Sequence, residues 1–500
     1  MDLKDCKLAL PTEIYSVETV RTIDNAAIND AGISGYTLMT RAAEAALRAA
    51  RDAFPDATRW QIICGAGNNA GDGYVLARLA ANDGVGVSVL AMVSPEKLSG
   101  DAATAYGDFA AEGGQHLEWL GELDGEAALL VDALLGSGLD RPVEGRFADV
   151  VQAVNAHTGA KLALDIPSGI HGDSGEVLGV AIKADMTITF VGLKSGLFLG
   201  DAADYVGELK YADLDIPADI RADKPMQMRR IDNALLDQYL PPRKKNAHKG
   251  DYGHLLVIGG GPGMPGAIAL CGEAALRCGA GRVSVATHPD HHSSIAGARP
   301  ELMCHAIASG ADLAALLPQA TTLVIGPGLG LGDWSKALFN AAMQSGLPMV
   351  VDADALTMLG ESDIRNGNWV LTPHPGEAGR LLDSTAKVIQ QNRLGALGDL
   401  QRLFGGTVVL KGAGSLVGFS NGPPWLCCAG NPGMAAPGMG DVLAGIIGAL
   451  LAQGLPADIA AAVGVEVHAR AGDLAAAEGE RGLMASDLMA WLRKVVNPVA

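Results

Sequence analysis

Several signals of common protein classes are missing from this sequence of 500 residues. Its seven cysteines are odd in number and include no Cys-x-x-Cys pair, which favours a reducing compartment and buried thiols over a disulfide framework. No stretch reaches the roughly 18 consecutive apolar residues of a membrane span, and the first residues lack the apolar run of a signal peptide. We therefore expect a cytoplasmic protein that has no membrane partner.

Basic residues are also scarce. The chain has 37 Lys and Arg against 56 Asp and Glu, which gives a net charge of −19, and its basic cluster at Arg243–Lys245 is short. This balance argues against a nucleic-acid partner. The dipeptide Gly-Lys is absent, which excludes a Walker P-loop. An anionic ligand must therefore be held by backbone N–H groups and a few cations.

Glycine and apolar residues are abundant instead. With 66 glycines, 49% apolar residues and 4% aromatic residues, the composition favours helices packed closely on sheets. A chain of this length exceeds what one hydrophobic core usually supports. Between residues 215 and 250 the strand pattern stops, while charges and prolines accumulate at Pro217, Pro225, Pro241 and Pro242. We predict a domain boundary near residue 223, which gives domains 1–223 and 224–500.

The first domain contains a unit of strand, glycine-rich turn and helix. A buried strand is predicted over 60–64, the turn over 65–73 and the helix over 74–82. The spacing Gly-x-Gly-x-x-x-Gly makes this unit Rossmann-like, although it departs from the standard dinucleotide fingerprint. Further strands are predicted over 85–92, 128–133, 161–166 and 186–191. Their alternation with helix-length stretches predicts a mostly parallel sheet covered on both faces.

Ligands of such sheets bind beyond the carboxyl ends of the strands. Three of the predicted strand ends carry Asn69, Asp132 and Ser168. Each of these residues is compatible with a cap or a turn when it is considered alone. Their joint placement favours a site for a hard monovalent or divalent cation, because all three side chains offer oxygen ligands.

The second domain contains a glycine-rich segment, Gly430–Gly445, which leads into a helix predicted over 442–451. Glycines let the backbone approach a ligand, and a helix N-terminus adds about half a positive charge, so this segment predicts an anion site. A carboxylate is unexpected beside a bound anion. Asp441 therefore indicates proton transfer or metal binding, with a role as helix N-cap as the alternative.

A literal Gly-x-Gly-x-x-Gly motif, Gly261–Gly266, follows a strand predicted over 254–258, and Asp290 comes at the end of the next strand. An NAD-dependent dehydrogenase is therefore the main alternative. Against it, Pro262 and Pro265 remove N–H donors that a pyrophosphate site needs. The tract Lys411–Ser415 follows a later strand and offers backbone N–H groups and one cation to the phosphates of an adenine nucleotide.

Three tracts of the first domain together resemble the family of epimerases of NAD(P)HX, which is hydrated NADH or NADPH. These tracts are Asn68–Asp72, Asp132 with Gly136–Leu139, and Asp165–Gly169. The resemblance implies that Asn69, Asp132 and Ser168 surround a potassium ion. Asp165 is then the acid or base that contacts the substrate, and Lys194 is a second candidate whose alternative is a solvated surface lysine. The implied contacts of the hydrated dinucleotide are Asn68, Asn69, Ala70, Gly71, Asp72, Gly136, Ser137, Gly138, Leu139, Asp140, Arg141 and Pro142.

The tract Gly438–Gly445 resembles the anion hole and catalytic Asp of the ribokinase-like superfamily, and Gly430–Met434 resembles the ADP/ATP-dependent NAD(P)HX dehydratases within it. The resemblance implies that Ala267, Gly328, His374 and Asp441 contact the hydrated dinucleotide. It assigns the adenine nucleotide to Lys411, Gly412, Ala413, Gly414, Ser415 and Gly440. His374 lies between two prolines, so a rigid turn is its alternative role. Ala436 and Pro437 depart from the family pattern, which leaves the number of phosphate donors open.

These patterns predict an α/β chain of two Rossmann-like domains, an N-terminal epimerase α/β/α sandwich and a C-terminal ribokinase-like α/β/α domain. The predicted function is the repair of NAD(P)HX, by interconversion of its R and S forms and by dehydration of the S form at the expense of ADP or ATP. Magnesium is expected to bridge the phosphates, and a homo-oligomer is expected. The choice between ADP and ATP stays open. The alternatives are a ribokinase-like small-molecule kinase, the dehydrogenase, and a domain that only senses ligand or serves as a scaffold.

Overall fold

The computed structural model describes residues 10–498 and divides the chain into two compact units, residues 1–228 and 229–500. The boundary predicted near residue 223 falls directly after a short helix, Ala218–Ala222. Within the described residues, every helix is too short or too polar to be a candidate membrane span.

Parallel strands form the centre of the first unit. The strands are β1 Glu13–Tyr15, β2 Arg59–Cys64, β3 Gly86–Ala91, β4 His116–Glu118, β5 Leu129–Ala133, β6 Ala160–Leu164, β7 Met186–Phe190, β8 Leu193–Lys194 and β9 Glu208–Ala212. The main sheet has the order β4-β3-β2-β5-β6-β7-β9, and its neighbouring strands all run parallel. β1 and β8 lie outside this seven-stranded sheet and pair in parallel, with Tyr15 opposite Lys194. The predicted parallel sheet is thus confirmed.

Helices cover both faces of this sheet. They are α1 Val17–Asn29, α2 Gly35–Ala53, α3 Asn68–Asn82, α4 Gly100–Ala111, α5 Gly145–Ala156 and α6 Ala218–Ala222. Successive strand residues point to opposite faces, so Ile62 and Val131 belong to one buried cluster while Ile63 and Leu130 belong to another. Both faces are therefore apolar, as a parallel sheet between two helical layers requires.

The glycine-rich turn of the first unit is shorter than predicted. α3 begins at Asn68, so Asn68–Asp72 form the first helical turn, where a loop was expected. The reason is close packing of this helix on the sheet. A Cβ at Gly73 would lie 2.6 Å from the Cβ of Ala133, and one at Gly71 would lie 2.5 Å from the Met39 side chain. Gly73 serves the packing of α3 on strands and Gly71 its packing on neighbouring helices, which a count of turn residues cannot distinguish from a loop.

The second unit also has a parallel sheet at its centre. Its strands are β10 Met228–Arg230, β11 His254–Ile258, β12 Arg282–Thr287, β13 Met303–Ala306, β14 Thr322–Ile325, β15 Met349–Val351, β16 Trp369–Leu371, β17 Thr407–Leu410, β18 Leu416–Gly418 and β19 Trp425–Leu426. The strand order is β13-β12-β11-β14-β15-β16-β17-β18-β19-β10. From β13 to β17 in this spatial order, all neighbouring strands run parallel. β18 is antiparallel to both β17 and β19.

Helical crossovers connect these strands. The helices are α7 Asn233–Tyr239, α8 Pro265–Arg277, α9 His292–Ala298, α10 Gly310–Leu316, α11 Asp333–Met343, α12 Ala353–Gly360, α13 Pro375–Leu381, α14 Ala386–Gln391, α15 Arg393–Phe404, α16 Met439–Ala452, α17 Ala457–Ala475 and α18 Met489–Val495. The carboxyl ends of the parallel strands consequently share one edge of the sheet, where the predicted site residues Gly328, His374 and Lys411 follow β14, β16 and β17.

The central helix of the second unit is α16, which is buried along most of its length. Its glycines allow close approach: a Cβ at Gly445 would lie 2.1 Å from the Cys271 carbonyl oxygen of α8. The helix begins at Met439, three residues before the predicted start, because Gly438 adopts a left-handed φ of 87° and serves as the N-cap. Asp441 therefore lies inside the first turn, and the alternative in which it is the N-cap is wrong.

Candidate functional sites

The first site is centred on a buried ion pair between Asp165 and Lys194. Asp165 follows β6 with a φ of 69°, and Lys194 ends β8 with 1% of its surface exposed. The Lys194 Nζ atom donates to Asp165 Oδ1 at 2.5 Å and to Thr189 Oγ1 at 3.0 Å. The alternative of a solvated surface lysine is therefore wrong. Burying an ammonium group is costly unless it is paired and hydrogen-bonded, as this one is.

This ion pair lines a cavity of about 770 Å³. The predicted dinucleotide residues on its wall are Asn68, Asn69, Asp72, Gly136, Ser137, Gly138, Leu139, Asp140 and Arg141. Three others do not line it: Ala70 is 1% exposed within the core, Gly71 packs against Met39, and Pro142 lies beside Gly179. The contact of these three residues with the dinucleotide stays a prediction.

Asn69, Asp132 and Ser168 are buried together at the carboxyl ends of β2, β5 and β6. Ser168 Oγ donates to Asp132 Oδ1 at 2.6 Å, and Asn69 Nδ2 donates to the Leu135 carbonyl oxygen at 3.0 Å. Burial raises the pKa of Asp132 to about 6, although hydrogen bonds from Ser168 and Leu134 lower it. The buried Asn69 Oδ1 has no hydrogen-bond partner among the described residues. Such an oxygen needs a ligand, because an unsatisfied buried acceptor is costly.

The cavity wall also carries Arg21 and Asp24 of α1, charged residues that the sequence did not single out. Burial and neighbouring charges, Asp165 among them, raise the pKa of Asp24 and of Asp72, although Lys194 lowers both. Arg21 of α1 lies over the glycine loop, since a Cβ at Gly138 would be 2.5 Å from its Nη2. α1 carries no glycine motif, so its contribution to the site had no recognisable signal in the sequence.

The second site is built around Lys411, at the end of β17. Its Nζ lies 2.9 Å from Asp352 Oδ1 and 3.7 Å from Glu377 Oε2, and Thr372 Oγ1 donates to the same Asp352 oxygen at 2.8 Å. Burial lowers the pKa of Lys411, but the two carboxylates outweigh it, and the net pKa is raised. Asp352 is the N-cap of α12 and Glu377 lies in the first turn of α13, and neither was chosen as a site residue from the sequence.

The first turn of α16 lies next to this cluster. A Cβ at Gly440 would be 3.3 Å from Lys411 Nζ and 3.8 Å from Asp352 Oδ2. Burial, followed by the Asp352 carboxylate, raises the pKa of Asp441 to about 7, while Lys411 lowers it. Asp441 therefore titrates near neutral pH, which is the range in which a carboxylate serves best as a general base.

The amides available to an anion come from fewer residues than the whole glycine-rich segment Gly430–Gly445. Asp473 of α17 accepts hydrogen bonds from the Gly430 amide at 2.9 Å and from Asn431 Nδ2 at 2.9 Å. Asn431 Oδ1 accepts in turn from the Gly433 amide at 3.1 Å. Amides of the first half of the segment are thus used inside the loop. Among the described residues, the donors that remain for an anion include those of the first turn of α16, behind Gly438.

The predicted dinucleotide residues of the second unit come from three elements. Ala267 of α8 and Gly328 are adjacent, since a Cβ at Gly328 would lie 3.1 Å from that of Ala267. His374 is the N-cap of α13, because its Nδ1 accepts from the Gly376 amide at 3.0 Å and from the Glu377 amide at 3.3 Å. Half of its side chain, 51%, stays exposed. A structural role of His374 is therefore present, and its contact with the dinucleotide stays a prediction.

The Gly-x-Gly-x-x-Gly motif does not form a pyrophosphate site. The Gly260 and Gly261 amides donate to the carbonyl oxygens of Pro327 at 2.9 Å and Gly328 at 2.7 Å. The Gly263 amide donates to His291 Nε2 at 3.1 Å, and the side chain of Asp290 is 76% exposed. Because these amides are engaged with the neighbouring loop, the alternative of an NAD-dependent dehydrogenase built on this motif is wrong.

Comparisons with known proteins agree with this geometry. A family model described as YjeF-related protein N-terminus matches residues 35–196, and one described as NAD(P)H-hydrate dehydratase matches residues 255–494. A bifunctional NAD(P)H-hydrate repair enzyme of Coxiella burnetii is 46% identical over 488 residues, which cover 97% of this chain and 100% of that protein. An enzyme of the same description from Escherichia coli is 41% identical, over 99% of this chain and 96% of that one. A ribokinase-like superfamily protein from Enterococcus faecalis has a TM-score of 0.50 at 29% identity, over 54% of this chain and 98% of that structure.

Proposed function

The chain belongs to the family of bifunctional NAD(P)H-hydrate repair enzymes, and from this premise we propose how its residues divide the two reactions. The protein is an NAD(P)H-hydrate epimerase and a nucleotide-dependent NAD(P)H-hydrate dehydratase. Epimerisation belongs to the cavity of the first unit, and dehydration of the S form belongs to the cluster around Lys411 and Asp441. The observation that carries this assignment is the position of Asp441, in the first turn of α16 next to Lys411 and Asp352.

In the first site, Asp165 is the acid and base of epimerisation. The ring hydroxyl of hydrated NAD(P)H takes a proton and leaves as water, while the lone pair of the ring nitrogen forms a double bond to the same carbon. Water then adds to the opposite face and loses a proton. Asp165 gives a proton to the leaving hydroxyl and takes one back from the adding water, so it is ionised between the two steps, and Lys194, 2.5 Å away, stabilises that ionised form.

Potassium fits beside this cavity, held by Asn69, Asp132 and Ser168. The unpartnered Asn69 oxygen supports this assignment, as does the ability of carboxylate, amide and hydroxyl oxygens to bind hard cations. Among the described residues, no group of three or more His, Cys, Asp or Glu side chains forms a site for another metal. The ion would supply positive charge near an anionic dinucleotide.

Epimerisation is expected to depend on potassium, whereas dehydration responds less. Asp132→Ala should lower epimerisation about 10–100-fold, because it removes the one formal charge among the proposed ligands. Asn69→Leu tests the same site while it leaves the Asp132 hydrogen bonds in place. Both activities are measured in potassium and in tetramethylammonium buffers. Equal epimerase rates in the two buffers would contradict the proposed potassium site.

In the second site, Asp441 takes the proton of the ring hydroxyl. The hydroxyl oxygen then bonds to the terminal phosphorus of ADP or ATP, and the bond to the leaving AMP or ADP breaks. The resulting phosphate ester loses phosphate from the ring carbon and a proton from the next carbon, which restores NAD(P)H. Mg²⁺ bound with the nucleotide would offset the charge of the phosphates, and the carboxylates of Asp352 and Glu377, which contact Lys411, would be the nearby oxygen ligands.

The assignment is tested by incubating the protein with mixed epimers of hydrated NADH and with ADP or ATP. The absorbance of reduced nicotinamide is expected to return, with one phosphate released for each NADH. Comparison of the two nucleotides decides which one is used. A ribokinase-like small-molecule kinase would instead accumulate a phosphorylated product without phosphate release, and that outcome would overturn the proposal.

The domains 1–223 and 224–500 are proposed to fold separately, because each unit has its own apolar core and the seven-stranded sheet lies wholly within the first. Each fragment is expected to unfold cooperatively in calorimetry and to keep its own activity. Fragments cut between residues 228 and 229 provide the comparison. If neither pair of fragments folded, the two units would have to be one cooperative structure.

A further inference from the structure

A buried arginine lies behind the Lys411–Ser415 loop. Arg393 begins α15 and is 4% exposed. Its guanidinium donates to the carbonyl oxygens of Leu410 at 3.1 Å, Ala413 at 3.1 Å and Gly414 at 3.0 Å. Within the described residues Arg393 forms no salt bridge with a carboxylate. The carbonyl dipoles of the loop therefore solvate its charge. Burial lowers the pKa of Arg393 to about 10, which leaves it protonated at neutral pH.

These hydrogen bonds fix the direction of the loop amides. In a trans peptide the C=O and N–H bonds point in opposite directions, and the described chain contains no cis peptide. The carbonyls of Ala413 and Gly414 face the guanidinium, so the N–H groups of Gly414 and Ser415 face away from it. Neither amide donates to an acceptor within residues 10–498. Two parallel donors are thus presented on the side of the loop opposite the arginine.

The glycines of the loop match this arrangement. Gly412 and Gly414 have φ angles of 146° and 68°, values that other residues rarely adopt. A Cβ at Gly412 would lie 2.5 Å from Arg393 Nη1. The loop therefore needs Gly412 because the guanidinium occupies the space where a side chain would be.

The nearest cation cannot replace these donors. Lys411 Nζ is already engaged by Asp352 at 2.9 Å and lies 3.7 Å from Glu377. Phosphates at this loop would depend largely on backbone N–H groups, whose direction decides how well they bind.

We propose that Arg393 is the positioning residue of the nucleotide site, which holds the Gly414 and Ser415 amides toward the phosphates of ADP or ATP. The inference rests on the proposed assignment of Lys411–Ser415 to the nucleotide. Arg393 acts through the loop carbonyls and touches no reacting atom. Its loss should therefore weaken nucleotide binding, while the binding of hydrated NAD(P)H on the other side of the site is preserved.

The test compares Arg393→Met and Arg393→Lys with the full-length parent protein. The KM for the nucleotide is expected to rise at least about tenfold in Arg393→Met. The misplaced loop amides then lose the equivalent of about one charge-assisted hydrogen bond to the phosphates. The nucleotide KM should rise less in Arg393→Lys, which keeps the charge, and the KM for hydrated NADH should stay within about twofold in both. Titration calorimetry with ADP or ATP and Mg²⁺ measures nucleotide binding directly. The matched control is Arg402→Met on the same helix, because Arg402 is 77% exposed and pairs only with Asp399 among the described residues.

Two results would overturn the inference: a nucleotide KM that stays at the parent value, or a fall in kcat with both KM values unchanged, as a purely structural role predicts. If Arg393→Met did not fold, Arg393→Lys and Gly412→Ala would test the inference instead. The methyl group added in Gly412→Ala displaces the guanidinium while its charge is kept. Lys411→Met separates this inference from the proposed function. An unchanged nucleotide KM in Lys411→Met would show that the loop is not part of the nucleotide site. A raised nucleotide KM in Lys411→Met, with unchanged values in Arg393→Lys and Gly412→Ala, would refute only the role of Arg393.

Discussion

Asp441→Asn is expected to lower nucleotide-driven dehydration by a factor of about 10²–10⁴, the usual loss when a general base is removed. Asn has nearly the shape of Asp but cannot accept the proton of the ring hydroxyl. The N-cap of α16 is Gly438, so the substitution leaves the capping of the helix unchanged. Epimerisation by the same chain and binding of the nucleotide should therefore stay within about twofold. The measurement is the initial rate of each reaction in the variant and in the parent.

Asp458→Asn is the matched control, because Asp458 is the acidic residue in the first turn of the next helix, α17. Dehydration within a few-fold of the parent rate in Asp441→Asn would remove Asp441 from the mechanism. The pH dependence gives an independent check. A base must be ionised to act, so kcat/KM for hydrated NADH should fall as pH decreases below the Asp441 pKa of about 7 and level off above it. Asp441→Asn should lack this dependence.

The sequence predicted the parts of this site that are local in the chain. Asp441 and Gly440 were found because glycines, a carboxylate and the start of a helix follow one another directly. The start of α16 was placed three residues late, since the left-handed conformation of Gly438 depends on packing. Asp352, Glu377 and Arg393 act on Lys411 and its loop from other elements, and a single sequence carries no signal for such contacts between distant segments.

The first site shows the same division. Asn69, Asp132 and Ser168 follow three parallel strands, and the carboxyl ends of such strands share one edge, so their convergence could be predicted. The burial of Lys194 could not, because its neighbours Ser195 and Gly196 are as common on surfaces as in cores. Arg21 and Asp24 escaped notice for a related reason: α1 has the apolar spacing of an ordinary amphipathic helix and contains no ligand motif.

The ion pair of Asp165 and Lys194 leads to the second large expected effect. Lys194→Met should lower epimerisation by about 10²-fold or more, because Asp165 then loses the charge that stabilises its ionised form. Breaking a buried pair also destabilises the fold by about 3–5 kcal/mol, since one charge is left without its partner. Activity alone therefore cannot separate a catalytic role from a structural one.

The double variant Asp165→Asn/Lys194→Met separates the two roles. With both charges removed, no unpaired charge stays buried, so the melting temperature should recover most of the loss caused by Lys194→Met. If the pair is catalytic, epimerisation stays as low as in Asp165→Asn alone, because Asn cannot exchange a proton. If the pair only stabilises the fold, epimerisation recovers together with the melting temperature. Dehydration in the same chain and the exposed substitution Lys183→Met serve as controls, and recovery of epimerisation in the double variant would exclude Asp165 as the acid and base.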